Sequence, residues 1–371
     1  MFEQIIFGVM AMGILIGGLD KIIGNKLGLG EKFDEGFTAM GPLALSMVGI
    51  VCLAPVISRC IKPVVIPLFS FFALDPAMAG SILANDMGGY PIAMELAQNE
   101  QVGLLSGLIV SSMLGCTLVF AMPVGFGLIE VEDRPYFAKG LLIGLISIPF
   151  GGVFGGIIAG FEAILVIKNM IPVLILSLLI ALGLKFIPNK TIKYCIVLGQ
   201  IITKISYVGL ACAAFQYTTG IVIIKGMTPI MEGMNIVAKI GIVLLGTFPI
   251  LSILVKVLDK PLNAVGKKIG LDASSTAGII FSLANSVPVY SMIKDMNIRG
   301  KIISTAWMVP ASAALGDHLG FTAGVRPDMI TPVVISKLAA GVLAFVLALF
   351  MTKDLKVESA NPKTNSISVK N

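Results

Sequence analysis

Nine times before Met351 the chain returns to a run of about 20 apolar residues, the length a helix needs to cross the hydrocarbon core of a bilayer. The runs cover roughly 3–19, 36–57, 102–129, 140–161, 169–187, 194–216, 235–256, 301–321 and 328–351. Apolar types make up 56% of the chain and charged types 13%, against about 45–50% and about 25% in soluble domains. Such a composition cannot keep its surface in water. The expected fold class is therefore an all-α polytopic membrane protein.

Two further regions, 61–97 and 259–294, do not read as simple spans. Each starts with a short amphipathic piece and continues into an apolar stretch interrupted by polar residues and proline. The first holds Asn85-Asp86-Met87-Gly88-Gly89 and Pro91, the second Asn285-Ser286-Val287-Pro288. These residues break helices, and broken backbone inside a membrane is tolerated only within protein or beside water. Both regions are expected to be re-entrant hairpins or discontinuous helices.

If each broken region returns to the side it left, lysine and arginine fix the orientation. The segments 19–35, 130–139, 185–193, 256–268, 294–301 and the tail after 352 hold 19 of the 27 basic residues. The opposite loops hold Arg59, Lys62, Lys168, Lys225 and Arg326, and Lys204, Lys239 and Lys337 fall within spans. The positive-inside rule then puts the N-terminus outside and the C-terminus inside. It also accounts for the net charge of +6 without nucleic acid. The first span has Glu3 where a signal peptide would be basic and lacks a small-x-small cleavage site, so it is expected to stay. The tail 353–371 is polar and expected to be disordered and cytoplasmic.

The order of parts repeats: span, span, short helix, broken hairpin, span, span. At an offset of 198 residues Ala79-Gly80 matches Ala277-Gly278, Met94 matches Met292, Asn99 matches Asn297 and Ser106 matches Ser304; Leu74-Asp75 aligns with Leu271-Asp272. The expected organisation is a first membrane repeat over 1–168, a connecting helix over 169–190 and a second repeat over 191–352. The halves start on opposite sides, as in transporters built from inverted repeats, whose substrate sites lie where broken helices meet.

His318 is the only histidine, which excludes sites needing two histidine ligands. The five cysteines lie in or beside apolar spans with no C-x-x-C and read as packing residues. No P-loop, G-x-S-x-G or H-E-x-x-H pattern occurs, so no metal, cofactor or catalytic residue is expected. The candidates for binding a small molecule are polar groups in apolar surroundings. Asp86 lies mid-segment, where a carboxylate costs about 2.5–3.5 kcal/mol and usually faces a cavity or a partner. Asp317 and His318 form a second polar island. Asn85 and Asn285 offer amides at broken backbone. Trp307 and Tyr90 offer aromatic faces to a cation. Asp34-Glu35 reads as a helix start, where acids suit the dipole.

Several long strings resemble the ethanolamine permease family of bacterial ethanolamine-utilisation operons (EutH): Phe33-Asp34-Glu35-Gly36-Phe37-Thr38-Ala39-Met40-Gly41, Leu83-Ala84-Asn85-Asp86-Met87-Gly88-Gly89, Asn169-Met170-Ile171-Pro172-Val173-Leu174, Ala181-Leu182-Gly183-Leu184-Lys185-Phe186-Ile187-Pro188 and Ala314-Leu315-Gly316-Asp317-His318-Leu319-Gly320-Phe321. The resemblance runs from about 30 to 350. It departs at Asn85 and Ser286 and in shorter stretches at 160–170 and 217–235. It implies uptake of ethanolamine across the bacterial cytoplasmic membrane, with the lipid bilayer as the other partner; a homo-oligomer is compatible with it. Ethanolamine is a small cation near neutral pH with one hydroxyl. Asp86 or Asp317 would suit the ammonium, and Asn85, Asn285 or His318 the hydroxyl. Three alternatives stay open: an ion-coupled transporter of choline or another small amine, an intramembrane aspartyl-type enzyme, and a scaffold or receptor. Gly316-Asp317 matches part of the G-x-G-D protease signature, but Ala314 replaces its first glycine and no Tyr-Asp pair occurs.

Overall fold

The computed structural model describes residues 2–82, 86–353 and 355. All regular structure among them is helical. Among the described residues eight helices are long and apolar enough to cross a membrane. They include α1 (Phe2–Ile22), α7 (Arg134–Ile158), α8 (Ala163–Phe186), α9 (Pro188–Thr219) and α15 (Ile330–Met351). A further one joins α2 (Leu29–Thr38) to α3 (Met40–Phe71), and another is α10 (Ile230–Lys268). The last, Glu100–Leu128, is the centre of the molecule: 94% of its apolar stretch is buried. It opens as α5 (Glu100–Leu104), winds through π-helical turns at Leu105–Gly115 and Thr117–Ala121, and closes as α6 (Met122–Leu128).

The helices pack in two groups. In one, α7 lies on α8 and α15; in the other, α10 lies on α1, α2 and α3, and α3 on α9. Small residues let backbones approach, as is usual where lipid offers no hydrophobic drive for helices to associate. A Cβ at Gly49 of α3 would collide with the Ser206 carbonyl of α9, and the Ser206 hydroxyl donates back to the Ser46 carbonyl at 2.8 Å. The exposed apolar residues of α1, α8 and α9 face where lipid would lie.

Both broken regions are present, but each starts later than the sequence suggested. α3 continues to Phe71 through Pro55, Pro63 and Pro67, and α10 continues to Lys268 through Pro249 and Pro261. The first hairpin then runs through a 3-10 turn (Pro76–Ser81) and a shorter one (Asp86–Gly88) into α4 (Gly89–Leu96). The second runs through α11 (Ala273–Ser282) and α12 (Val287–Met292).

The hairpins are tied by the same set of bonds. Asp75 accepts from the backbone N–H groups of Ala77 (2.8 Å) and Asn99 (2.8 Å). Asp272 accepts from those of Ser275 (2.8 Å) and Asn297. Asn99 caps α5 through the N–H of Gln101, and Asn297 caps α13 (Ile298–Ala311) through the N–H of Gly300. The Ser106 hydroxyl donates to the Ala77 carbonyl at 2.6 Å, and that of Ser304 to the Ser275 carbonyl at 3.1 Å. Side-chain caps of this kind satisfy helix-end N–H groups that have no partner within the helix. Five helices long enough to cross separate the two hairpins. That odd number sends them to opposite ends of the bundle.

The segment 301–321 differs from expectation. It reads as one span in the sequence, yet α13 stops at Ala311 and α14 (Asp317–Val325) begins after a turn. Pro310 cannot donate in the helix, and Ala313 adopts a left-handed conformation with φ 56°. The polar tail lies outside the described residues except for Lys353 and Leu355.

Candidate functional site

The site is built where two broken backbones cross. α11 ends at Ser282 and α13 at Ala311. The N–H groups freed by the second break are taken up by carbonyls freed at the first: Ala313 donates to Ser282 at 2.8 Å and Leu315 to Leu283 at 2.9 Å. In an unbroken helix the Ala313 N–H would have gone to Val309. The Val309 carbonyl instead shares the hydroxyl of Thr117, from the central helix, at 3.3 Å, with the Met113 carbonyl at 2.6 Å. Gly316 completes the crossing, since a Cβ there would collide with the Ala284 carbonyl oxygen.

A cavity of about 620 Å³ opens beside this crossing. Asn285, Ser286 and Ser312 line it from the broken segments, and Asp317 and His318 from the first turn of α14. Cys116 and Phe120 line it from the central helix, Ser46 from α3 and Phe248 from α10. Glu31, Glu35 and Thr38 of α2 line its mouth. Among the described residues three carboxylates and no lysine or arginine line the cavity, and a cleft lined by one sign of charge concentrates ions of the other. A second cavity of about 510 Å³ shares Glu35, Phe248 and Asn285 with it.

The mouth lies on the face carrying the basic loops. There Lys21 pairs with Asp34, and Lys256 of α10 donates to the Leu27 carbonyl at 2.9 Å. α2 is held there by Asp20, whose carboxylate accepts from the N–H groups of Leu27, Leu29 and Gly30 at 2.8–3.0 Å.

The sequence candidates divide. Asn285, Asp317 and His318 come together at the cavity. The Asn285 side chain also accepts from the Val287 N–H at 2.9 Å, fixing the start of α12. Asp317 is half-buried and accepts from the His318 N–H at 3.1 Å; His318 is fully buried. Trp307 stands elsewhere. Its indole N–H bonds the Ile279 carbonyl (3.2 Å) and the Ser282 hydroxyl (3.1 Å), joining α13 to α11. Tyr90 stacks edge-on against Phe321 with ring centroids 5.9 Å apart and does not line the cavity. Asn85 lies outside the described residues, as does the side chain of Asp86. The backbone of Asp86 opens the short turn to Gly88, which packs against Ile50 of α3 and the π-helical stretch.

Sequence reading missed the mouth. Glu35 read as a helix-start acid, while the marked amphipathicity of α2 was the signal that one face meets a cavity. It also gave no role to Lys337, fully buried in α15, whose ammonium donates to the Ser112 carbonyl at 2.7 Å. A lysine inside an apolar run is itself a signal.

A family model described as "Ethanolamine utilisation protein, EutH" matches residues 2–351. The chain belongs to this family. It is 45% identical over 364 residues to a protein of Listeria monocytogenes named "Probable ethanolamine permease EutH", covering 98% of each chain. It is 38% identical over 403 residues to the protein of that name from Salmonella typhimurium, again covering 98% of each. An uncharacterized Bacillus subtilis protein, YxeR, is 43% identical over 351 residues, covering 94% of this chain and 95% of its own. No solved structure matches the chain. Membership of EutH and the eight long apolar helices identify a multi-pass protein of the bacterial cell membrane. The relatives' names point to a transporter rather than an enzyme.

Proposed function

We propose that this protein is a permease that takes up ethanolamine as the protonated amine, by facilitated diffusion. The observation that carries the reading is the acidic cavity, lined among the described residues by three carboxylates and no lysine or arginine, at the crossing of two broken helices. The permease names of its EutH relatives support the cargo. In this reading the ammonium meets Asp317 at the N-terminus of α14, and the hydroxyl meets the Asn285 amide or the His318 imidazole. Asp86, in the first hairpin, is the second candidate carboxylate. A cation moving down a 100 mV inside-negative potential gains about 2.3 kcal/mol. That is roughly fifty-fold accumulation, so no coupled ion is required.

The test is uptake of labelled ethanolamine into proteoliposomes with and without an imposed inside-negative potential. Uptake that rises with the potential and collapses in Asp317→Asn supports the reading. Uptake indifferent to the potential refutes the charged cargo. The cavity is roomy for a short amino alcohol, which favours a second reading with a bulkier amine such as choline. Competition by choline at concentrations matching ethanolamine would select that reading.

A further inference from the structure

The cavity has an open side and a closed side, and the closed side is layered. α14 carries Asp317 at the cavity and runs away from its mouth. Phe321 lies one turn beyond Asp317, and Arg326 lies about 13 Å beyond it at a rise of about 1.5 Å per residue. Phe321 is buried and meets Tyr90, in the first turn of α4, edge to face. The Tyr90 phenol lies beside the Arg326 guanidinium. Arg326 in turn bonds Glu100, the first residue of α5, at 2.8 Å, and Asp328 at 2.9 and 3.0 Å. These bonds push the guanidinium's pKa up, so the charge is permanent.

Both layers join the same two parts: the far end of α14 and the region of the first hairpin. The link to Glu100 spans these parts, while the link to Asp328 stays within the α14–α15 connection. The open side has no such bridge from Glu35, whose ion pair is with Lys32 of its own helix. We infer that Tyr90–Phe321 and Glu100–Arg326 form the outer gate of the transport path, shut here while the cavity opens to the basic, cytoplasmic face. This rests on the reading of the acidic cavity as the cargo site. Opening to the outside then requires the first hairpin and α14 to part, separating two rings and one ion pair.

The gate can be tested without cargo. Cys116 lines the cavity, and none of the five cysteines is in a disulfide. Replacing Cys52, Cys60, Cys195 and Cys212 leaves Cys116 as the sole thiol. A membrane-impermeant maleimide is applied to vesicles of known orientation, from the outer or the cytoplasmic side. The expected result is labelling from the cytoplasmic side only. Tyr90→Ala should raise outer labelling at least tenfold. Glu100→Gln should raise it about threefold to fivefold, the scale of losing one exposed ion pair. Asp328→Asn should change it little, which separates the cross-link from a merely local pair. Unchanged cytoplasmic-side labelling in each variant reports an intact fold. Rapid outer labelling before any substitution, or outer labelling that Tyr90→Ala and Glu100→Gln both leave unmoved, would overturn the gate. Because the readout is thiol accessibility, a wrong cargo would leave the result standing, and a wrong gate would leave ethanolamine uptake standing.

Discussion

The two hairpins are anchored alike, and the helices that follow them are not. An aspartate opens each hairpin, an asparagine caps the next helix, and a serine hydroxyl two turns later bonds back to the hairpin. After the first hairpin the chain crosses unbroken from Glu100 to Leu128, its π-helical turns parted only at Cys116. After the second it breaks between Ala311 and Asp317. At the 198-residue offset Cys116 falls opposite Ala314, inside the second break. We propose that the two stretches belong to copies of one unit, of which only the second is broken here. The physical difference lies in the partner. The second break has the Ser282 and Leu283 carbonyls to receive its N–H groups; the central helix, packed on all sides, keeps its backbone bonds internal. An anchor sets where a hairpin sits, and a backbone partner sets whether the next helix can break.

Gly316→Val is expected to have the largest effect, because it attacks that partner directly. The new side chain has to displace the Ala284 carbonyl, and overpacking of this kind costs about 1–3 kcal/mol or more. Melting in detergent should fall sharply and uptake should vanish. The corresponding residue of the central helix, Leu118, already carries a side chain, so Leu118→Val should cost only about 1 kcal/mol. Equal losses from the two substitutions would break the contrast.

The asymmetry also explains what could be read in advance. The spans were legible because lipid demands long apolar runs, and the hairpins because Asn285, Pro288 and Pro91 stand in such runs. The break at Ser312–Gly316 was hidden: Ala-Ser-Ala-Ala-Leu-Gly is apolar and small, and only Pro310 warned of it. Its cause lies at Ser282 and Leu283, far away in sequence. Trp307 and Tyr90 were legible as aromatics within the membrane. Which face each presents depends on partners, Ile279 for one and Phe321 for the other, that no local pattern encodes.

Asp75→Ala and Asp272→Ala compare the anchors themselves. Asp75 is buried and also takes the Gln98 N–H, at 3.2 Å. Asn169 of α8 accepts from the Asp75 N–H at 2.9 Å, a backbone tie that the substitution keeps. Losing either aspartate strands backbone donors, at about 1–3 kcal/mol. The larger loss is expected at Asp75, read as the greater fall in melting temperature, and a reversed order would show that burial does not rank the two anchors. Trp307→Phe should cost about 1 kcal/mol for its lost hydrogen bonds and leave ethanolamine affinity unchanged. A several-fold loss of affinity would return the indole to the cargo site.

The smallest stability effect is expected in α2, which no helix at the head of α10 matches. Asp34 and Glu35 are adjacent acids, both in exposed ion pairs, with Lys21 and Lys32 respectively. Removing either charge should change stability by no more than about 0.5 kcal/mol. Only Glu35 borders both cavities. Asp34→Asn should therefore leave uptake as it was. Glu35→Gln should lower uptake several-fold at low ethanolamine, and less as ionic strength rises and screens the mouth. Equal uptake in the two variants would mean that Glu35 adds nothing to the field of the mouth, which Glu31 and Asp317 then carry.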